Sequence, residues 1–427
     1  MTLLLVCLVL LMLLLGAPLF VVILAATMVG FHASEVDLTV IPIELYRLAD
    51  TPLLLALPLF TFAGYVLSES KTSERILRLI QVFFGWMPSG LAIISMVACA
   101  LFTAFTGASG ITIVALGALL LPALLKQGYP EKFSLGLVTT TGSLGLLLPP
   151  SVPLILYGII VQQMDLGQKF SLTELFLAGL FPGLLMIVLL AFWIAWTTRN
   201  LKIEKTRFSW QEALAAIRES AWELPLPLFV LVGIFGGYLA ISEVAAVTAL
   251  YVLFIEVFIY KEIKVTHLSK VINDAMQMVG GILIILGMSM AFTNYLIDAE
   301  IPSLLFDWVK ANVDSKFTFL ILLNIFLLLL GAILDIFSAL IIVVPLIVPV
   351  AMGYGIHPIH MGVIFLANMQ IGYFTPPVGM NLFIASYRFK RPITELYRAT
   401  LPIMVILLLS VIIITYVPWL STWFLND

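Results

Sequence analysis

The sequence predicts an all-α polytopic membrane protein built from inverted repeats, with two re-entrant helical hairpins and two broken helices. Three observations lead to this prediction. First, 62% of the 427 residues are hydrophobic and 11% are charged, whereas soluble domains contain about 45–50% apolar and about 25% charged residues. Second, many apolar runs reach the length that spans a bilayer, roughly 17–25 residues. Third, two polar interruptions and two proline pairs recur at matched spacing.

The apolar runs predict the membrane helices. The first run has no basic segment before it and exceeds the apolar core of a signal peptide, about 7–15 residues, so we expect it to be retained as a membrane span. The runs lie at about 2–30, 52–68, 135–161, 175–197, 225–240, 242–260, 276–296, 360–385 and 399–421.

Two further apolar stretches, 89–125 and 317–352, are too long for one span. Each carries a polar, small-residue interruption near its middle, FTGASGIT at 105–112 and LGAILDIFSA at 330–339. Each therefore predicts two half-length helices that meet at a tip. We expect a re-entrant hairpin that enters and leaves on the same side of the membrane.

The distribution of Lys and Arg supports these hairpins. If 197–218 is cytoplasmic and each hairpin counts as no crossing, the other basic segments fall on the same side. These segments are 69–78, 126–132, 260–270 and 387–398. The segments left outside are poorer in Lys and Arg, and they are 32–50, 164–175, 298–316 and 353–360. This topology predicts a cytoplasmic N-terminus and a periplasmic C-terminus.

Each proline pair lies in an apolar run where a helix cannot continue. Pro149 and Pro150 lie in GSLGLLLPPSVPLILYG (142–158), and the second pair lies in GYFTPPVGMNLF (372–383). A proline in a helix interior removes a donor and clashes one turn back, which destabilises the helix by roughly 3 kcal/mol. In hydrocarbon, non-helical backbone is tolerated only where it is buried in protein or lines a wet cavity. The breaks therefore predict a binding site near the membrane midplane.

The interruptions and the proline pairs form a repeat. Gly107 and Gly331 open the two predicted tips, and Pro149 and Pro376 begin the two pairs, which gives offsets of 224 (331 − 107) and 227 (376 − 149). One small insertion or deletion would reconcile them. In the predicted topology the two units have opposite orientations, as in many secondary transporters. Helix N-termini at such a site suit a carboxylate, and unwound, carbonyl-rich segments suit Na⁺.

The same motifs resemble those of a known family. GYLAISEVAAVTALYVL (237–253) is similar to the Thr-Glu-Ala-Ala-Ala signature of the large membrane subunit of tripartite ATP-independent periplasmic (TRAP) transporters. TGASG…TTTGSLGLLLPPSVP and GAILD…GYFTPPVGMN look like that family's two hairpin-and-break units, so the resemblance covers essentially the whole chain. The sequence departs from the family at Ile241 and Ser242, which stand in place of the usual Pro-Thr. Ser242 can still cap the helix that follows.

The resemblance implies a fold of the ion-transporter-superfamily elevator type. It also implies sodium-driven uptake of an organic acid by an elevator movement in the bacterial cytoplasmic (inner) membrane. The acid would be a C4-dicarboxylate, sialic acid or another sugar acid, and Na⁺ would be the coupling ion, with no cofactor. The resemblance also implies two partners, a small four-helix membrane subunit, expected as a separate polypeptide, and a soluble periplasmic substrate-binding protein. The alternative is a stand-alone Na⁺- or H⁺-coupled organic anion carrier of similar architecture.

Four residues are predicted to bind substrate. Asp335 lies alone among apolar residues in LLLLGAILDIFSALII, and an intramembrane carboxylate marks a functional site because its insertion is unfavourable. A substrate carboxylate would be repelled, so we expect Asp335 to meet a substrate hydroxyl or amide, to act on the local Na⁺ field, or to hold the tip. Capping of the tip alone is the structural alternative. The other three are Ser109, Ser151 and Asn381, with Asn368 as a weaker candidate.

Two sodium sites are predicted, one for each tip and its break. Glycines allow close approach of the backbone, and hydroxyls supply ligands where the backbone alone is too sparse. The first site is assigned to Thr106, Gly107, Ser109, Gly142, Gly145 and Pro149. The second is assigned to Gly331, Gly372, Thr375 and Val378. Thr112 and Ser143 are further hydroxyl candidates near the first site.

Other polar residues are assigned structural roles. Glu243 is expected to serve the N-terminus of its helix, and Glu256 to snorkel at a cytoplasmic end or to meet the partner subunit. The segments 69–86 and 199–220 predict interfacial amphipathic helices. His357 and His360 are expected to be surface histidines beside a helix start rather than metal ligands.

Several function classes are disfavoured. An intramembrane aspartyl protease needs two deep carboxylates, whereas only Asp335 is deep, and a zinc protease needs H-E-x-x-H, which the sequence lacks. The sequence has no P-loop, so ATP is not the expected driver, and the net charge of −3 argues weakly against a nucleic-acid partner. Cys7 and Cys99 lie in apolar helical stretches, which makes a disulfide framework unlikely. We therefore expect a transporter, not an enzyme.

The chain is accordingly divided into five parts. Scaffold helices are expected over 1–88, and scaffold helices with an interfacial arm over 166–316. The two transport units, each a hairpin with its broken helix, are expected over 89–165 and 317–390, and a C-terminal helix over 391–427.

Overall fold

The computed structural model describes residues 2–87, 89–164, 166–168, 170–201 and 208–425, and the regular structure within these ranges is helical throughout. Nine helices in these ranges are long and apolar enough to cross a membrane. The all-α polytopic class is therefore confirmed. Part of the predicted interfacial segment 199–220, namely 202–207, lies outside the described residues.

Two short helices replace the single N-terminal span that the run 2–30 predicts. Helix α1 (Thr2–Leu14) and helix α2 (Leu19–Ala33) pack against each other. The chain turns between them at Gly16, whose φ is +76°, a conformation that glycine adopts at no steric cost. The prediction of one continuous span is therefore wrong.

The helices before the first hairpin form part of the wall that faces it. They are α3 (Val40–Ala49), a 3₁₀ turn (Pro52–Leu55), α4 (Ala56–Glu69) and α5 (Thr72–Phe84). Helix α3 lies in the segment 32–50, which the predicted topology leaves outside the membrane. It is helical because Ile41, Glu44 and Leu48 recur on one buried face, a period that hydropathy alone does not detect.

The first predicted hairpin and the first predicted broken helix are each interrupted where the sequence predicts an interruption. Their elements are α6 (Gly90–Thr106), α7 (Ser109–Thr112), a π-helical stretch (Ile113–Gly117), α8 (Ala118–Lys126), α9 (Glu131–Thr140), a 3₁₀ stretch (Thr141–Leu147) and α10 (Val152–Gln163). The tip is a turn at Gly107, whose φ is +68°. The Thr103 and Thr112 hydroxyls lie 2.5 Å apart across this tip. The Pro149–Pro150 peptide bond in the break is cis.

The middle of the chain contains six helices. They are α11 (Leu172–Thr198), α12 (Trp210–Glu219), α13 (Pro225–Phe235), α14 (Ile241–Phe254, followed by a π-helical stretch, Ile255–Ile259), α15 (Val265–Asp298) and α16 (Ile301–Asn312). Two of them, α11 and α15, are the longest in the described part of the chain. Glu243 accepts a hydrogen bond from the Ala240 N–H at 2.8 Å, so it serves the start of α14. Ser242 lies inside the first turn of α14, and its predicted capping role is therefore wrong.

The second repeat has the same order of elements. They are α17 (Lys316–Ile333), α18 (Ile336–Gly353), α19 (Pro358–Gly372) and α20 (Met380–Phe389), followed by α21 (Ile393–Tyr416) and α22 (Trp419–Thr422). His357 caps α19, and its Nδ1 accepts from the Ile359 N–H at 3.2 Å. His360 is buried and its Nδ1 lies 2.6 Å from the Ser421 hydroxyl, so the expectation that it lies on the surface is wrong.

A single offset of 227 residues relates the two repeats. It separates Pro149 from Pro376 (376 − 149) and Gly128 from Gly355 (355 − 128), and both of these glycines have positive φ. Gly331 does not lie at the tip, because it belongs to the last turn of α17. Its counterpart is Ala104 (331 − 104 = 227) rather than Gly107. The predicted offset of 224 and the insertion or deletion are therefore wrong.

The two repeats interlock through their second halves. Helix α10 packs against α18, and α20 packs against α7 and the π-helical stretch that follows it. The second half of each broken helix thus contacts the second arm of the other hairpin. Within each repeat, α6 packs against the 3₁₀ stretch and α17 packs against α19. These contacts join both tips and both breaks in one bundle.

A buried charge cluster fixes α5 to the helices behind it. Arg75 donates to Glu223 (Nε to Oε2, 2.9 Å) and to Glu262 (Nη1 to Oε1, 2.5 Å), and its Nη2 lies 3.4 Å from Glu256 Oε1. The Thr72 hydroxyl also donates to Glu223 at 2.5 Å. The Glu256 side chain is fully buried, so the prediction that it snorkels or meets the partner subunit is wrong. A buried carboxylate needs such a partner, because an unpaired charge there is strongly destabilising.

Candidate functional site

A cavity of about 820 Å³ separates α4 and α5 from the hairpin tips. One wall comes from the end of α4 and the start of α5, and it includes Tyr65, Ser68, Glu69, Ser70, Ser73 and Glu74. The opposite wall includes Gly107, Ala108, Ser109, Gly110, Asp335, Phe337, Tyr373, Met380, Ile384 and Arg388. Both hairpin tips and the second break therefore face the same cavity.

Ser109 joins the first hairpin to the second broken helix. Its hydroxyl donates to Asn381 Oδ1 at 2.7 Å. Asn381 is held in turn by bonds from its Nδ2 to the Thr139 carbonyl (3.4 Å) and from its N–H to the Tyr373 carbonyl (2.9 Å). Ser109 lines the cavity and Asn381 lies directly behind it, fully buried. Two of the four residues predicted to bind substrate, one from each repeat, are thus in contact.

Asp335 lines the cavity and also caps α18. Its Oδ1 accepts from the N–H groups of Phe337 and Ser338 at 3.0 Å each, and its Oδ2 accepts from the Ser338 hydroxyl at 2.5 Å. The neighbouring Ile336 N–H donates to the Tyr373 hydroxyl at 2.9 Å, which holds the tip to the second break. The capping alternative therefore has direct geometric support, and the same carboxylate faces the space that a substrate would occupy.

The glycines assigned to the first sodium site allow close contact between the break and the first hairpin. A Cβ on Gly145 would lie 2.1 Å from the Ala100 carbonyl oxygen, and one on Gly142 would lie 3.1 Å from the Ser109 carbonyl oxygen. Such an approach requires glycine at Gly145 because no side-chain carbon fits. The arrangement brings hairpin carbonyls to an unwound segment, the kind of ligand that binds Na⁺ in transporters.

The remaining residues of the first assigned site lie at the end of α6 and in the first break. The Thr106 hydroxyl points to the Ala108 carbonyl at 3.4 Å. A Cβ on Gly107 would lie 2.8 Å from the Val152 side chain, so the tip rests on the start of α10. Pro149 is buried in the break itself.

The second assigned site has the same construction. A Cβ on Gly372 would lie 2.5 Å from both the Cα and the carbonyl carbon of Gly331, so the two backbones touch. The Gly379 N–H donates to the Ala332 carbonyl at 3.0 Å. The Thr375 hydroxyl donates within its own turn, to the Ile371 carbonyl at 2.8 Å.

Of the predicted site residues, only Gly107, Ser109 and Asp335 line the cavity. Ser151, Asn368 and Val378 are among those that lie apart from its wall. Ser151 is buried, donates to the Leu146 carbonyl at 2.5 Å and caps α10. Asn368 donates to Asn324 Oδ1 at 2.6 Å, in the contact between α19 and α17. Val378 follows the second proline pair and is partly exposed. The substrate role of Ser151 and Asn368 stays a prediction without support from the cavity lining.

The sequence reasoning missed the wall opposite the tips. Ser68, Ser70 and Ser73 line it, and the Ser73 hydroxyl is buried without a hydrogen-bond partner among the described residues. The available signal is the run SESKTS after an apolar helix, which overlaps the predicted basic segment 69–78 and the predicted amphipathic segment 69–86. Arg388 was also missed, although it ends a helix that begins at the second break.

The charges around the cavity favour cations. Among the described lining residues, Glu69, Glu74 and Asp335 are acidic and Arg388 is basic. The Arg388 Nε donates to the Val114 carbonyl at 3.2 Å. A cleft with an excess of negative charge raises the local concentration of counter-ions. This excess of negative charge attracts cations to the cavity.

Comparison with known proteins identifies the family. The chain matches the family described as "Tripartite ATP-independent periplasmic transporter, DctM component" over residues 5–420. It is 36% identical over 391 residues to the C4-dicarboxylate TRAP transporter large permease protein DctM of Vibrio cholerae serotype O1, which covers 87% of this chain and 85% of the relative. It is 29% identical over 421 residues to the ectoine/5-hydroxyectoine TRAP transporter large permease protein UehC of Ruegeria pomeroyi, covering 97% of this chain and 96% of the relative.

A solved structure shares the fold. The Alcanivorax borkumensis YdaH transporter superposes with a TM-score of 0.63 at 16% identity, covering 90% of this chain and 88% of that chain. Likeness at this level of identity concerns the arrangement of the helices. It agrees with a polytopic transporter architecture.

Proposed function

Because the chain belongs to the family of the DctM component of tripartite ATP-independent periplasmic transporters, we propose that it couples Na⁺ entry to the uptake of an organic acid anion. It is a multi-pass membrane permease of TRAP-type secondary transport, not an enzyme. In the proposed mechanism the two hairpins and the two broken helices carry the substrate across the bilayer as one body. Helices α4 and α5 form part of the fixed wall.

The observation that carries the proposal is the shared cavity. Both hairpin tips and the second break line it, and the Ser109–Asn381 hydrogen bond joins the repeats directly behind its wall. Free N–H groups at helix starts suit a carboxylate. Asp335 then receives a substrate hydroxyl or amide, since its own negative charge disfavours contact with the substrate's carboxylate.

Sodium is proposed to bind where each tip meets its break. The close backbone approaches at Gly145 and Gly372 support these two positions. Binding of the cations offsets the negative charge of the substrate, which makes the loaded body easier to move through a low-dielectric environment. Downhill entry contributes roughly 2.3 kcal/mol per charge per 100 mV, in addition to the concentration gradient.

The moving body is proposed to include helices outside the two predicted transport units. Helix α11 packs against the 3₁₀ stretch and α19, and α21 packs against α9. Helices in such extensive contact with the broken helices would move with them. We therefore assign α11 and α21 to the moving body, although the boundaries 166–316 and 391–427 had placed α11 with the scaffold and α21 by itself.

The substrate is proposed to be a C4-dicarboxylate or a related organic acid, with sialic acid and other sugar acids as further candidates. The relatives named above are described as permeases for C4-dicarboxylates and for ectoine. In TRAP systems the large permease works with a small membrane subunit and a substrate-binding protein. We propose that a soluble binding protein delivers the substrate from the periplasmic side.

The conformation is proposed to be inward-facing. The cavity is lined by Glu69 and Glu74 at the α4–α5 junction and by Arg388 at the end of α20. These residues belong to the segments 69–78 and 387–398, whose Lys and Arg content predicts a cytoplasmic location. The cavity would then release substrate and Na⁺ to the cytoplasm.

The test is uptake into proteoliposomes that contain the chain with its small subunit, with its binding protein outside. The binding protein is first screened against organic acids by thermal shift, and the best ligand is supplied in labelled form. We expect accumulation with an inward Na⁺ gradient and none when choline replaces Na⁺. Equal accumulation without Na⁺ would refute the coupling. Uptake that persists without the binding protein would instead favour the stand-alone carrier.

A further inference from the structure

A second cavity, which we call the arm groove, has no role in the proposed transport site. It measures about 530 Å³ and lies between α5, α6 and the start of α13, beside the end of α12. Its buried floor includes Leu67, Ile80, Phe102, Phe105 and Leu226. Its exposed rim includes Leu101, Ile217 and Leu224. The groove is therefore an apolar slot that is open along one side.

The arm groove has one polar end. Thr72, Ser220 and Glu223 are the polar residues among its described lining. The Thr72 hydroxyl and the Glu223 carboxylate bind each other, and Arg75 holds Glu223 as well. The Ser220 hydroxyl is different, because it is buried and has no hydrogen-bond partner among the described residues. A buried hydroxyl without a partner is unfavourable, so a ligand in the groove is its natural partner.

We propose that the arm groove binds one acyl chain of a membrane phospholipid, with the Ser220 hydroxyl donating to the ester carbonyl of that chain. The slot is apolar along its length, and in a bilayer the surrounding apolar molecules are lipid tails. Helices α5 and α12 are amphipathic, and Arg78 and Glu219 pair across their exposed faces near the polar end. Amphipathic helices lie at the boundary between headgroups and acyl chains. The ester groups of phospholipids lie at this same boundary.

The bound acyl chain would fill a gap between the first hairpin, which belongs to the proposed moving body, and helix α5, which belongs to the proposed fixed wall. One wall is α6, the first arm of the first hairpin, and the other is α5, which the Arg75 cluster fixes to α14 and to the segment that follows α12. An acyl chain forms no directional bonds to either wall. It can therefore exclude water from the gap while the walls slide past each other.

The test is native mass spectrometry of the chain with its small subunit, purified from nanodiscs of phosphatidylethanolamine and phosphatidylglycerol. Ala98→Phe fills the groove and Ile217→Trp narrows its rim, so each should lower phospholipid occupancy at least tenfold. Ser220→Ala should lower it several-fold because the ester loses its donor. Leu214→Trp is the matched control, because this residue is exposed on the same helix as Ile217 but does not line the groove.

The expected result is one phospholipid retained by the wild type and by Leu214→Trp, and lost from the groove variants. Absence of lipid from the wild type, or equal occupancy in all variants, would overturn the proposal. A retained mass of a free fatty acid would overturn the ester assignment. A disulfide cross-link from Ile217→Cys to the small subunit would show that a protein covers the groove instead. Ile217→Trp changes only a half-exposed rim residue, so the test remains decisive even if Ala98→Phe does not fold.

Discussion

Replacing Gly372 by alanine is expected to force the second broken helix away from the second hairpin. The new Cβ would lie 2.5 Å from the Cα and carbonyl carbon of Gly331 and 3.0 Å from its carbonyl oxygen. Carbon atoms in favourable contact are about 3.5–4.0 Å apart, so the two backbones must separate by roughly 1 Å. Both positions are buried, and overpacking of a buried site typically destabilises a protein by about 1–3 kcal/mol.

The same displacement should weaken Na⁺ binding. The second proposed sodium site lies where these two backbones meet, so the strain falls on the proposed ligands themselves. A loss of about 1.4 kcal/mol in binding free energy corresponds to a tenfold lower affinity, which lies within the range given for overpacking. We therefore expect about a tenfold rise in the Na⁺ concentration that gives half-maximal uptake.

The control is Gly280→Ala in α15. A Cβ at Gly280 would meet no atom within 4 Å, and alanine favours a helix over glycine by about 1 kcal/mol. Thermal unfolding of the purified complex and Na⁺-dependent uptake in proteoliposomes are measured for both variants. Gly280→Ala should equal or exceed the wild type in stability. If Gly372→Ala unfolds and transports like Gly280→Ala, the link between backbone contact and ion binding is refuted.

Substitutions at Asn381, Arg75 and Asp335 probe the cavity and the charge cluster. Asn381→Ala removes the acceptor of the buried Ser109 hydroxyl, so uptake should fall by about tenfold or more, and wild-type uptake would contradict the substrate assignment. Arg75→Met leaves its carboxylate partners unpaired and should destabilise the protein by about 3–5 kcal/mol in thermal or chemical unfolding, with partial recovery when Glu256→Gln is added. Asp335→Asn should keep the α18 cap. Asp335→Ala removes the cap and should lower the free energy of unfolding by about 0.5–2 kcal/mol. A stable Asp335→Asn variant with normal uptake would mean that the charge of this carboxylate has no role in transport.

The helix interruptions at Gly107 and at the proline pairs were predictable because a helix breaker has a larger effect in hydrocarbon than in water. In hydrocarbon, the free backbone N–H and C=O groups at the Gly107 turn and the Pro149 break have no water to bind. They must therefore find partners within the protein. The break at Gly16 and Pro18 was missed for the converse reason. A single glycine and a single proline are tolerated inside many membrane helices, and the run around them is apolar throughout.

The cavity wall was harder to predict than the tips. Ser73 faces the tips across the cavity because the Arg75 cluster holds α5 in place. That cluster joins residues separated by 148 to 187 positions in the chain. Local sequence patterns carry no information on such contacts. Gly331 was misplaced for a different reason, since a glycine was expected to mark the tip. The second tip uses extended backbone at Leu334 and a capping side chain at Asp335 instead.

The constant offset of 227 residues shows which features the two repeats share and which features differ. Both repeats have a glycine at the break, Gly145 or Gly372, because no Cβ fits there against the hairpin arm. The tip positions have diverged, since Ala108 in the first repeat corresponds to Asp335 in the second (335 − 108), and Ser109 corresponds to an isoleucine. The duplication thus fixes where helix ends meet, and the side chains decide what they bind. A cavity with a hydroxyl on one tip and a carboxylate on the other can hold an asymmetric substrate in a single orientation, which two identical tips could not do.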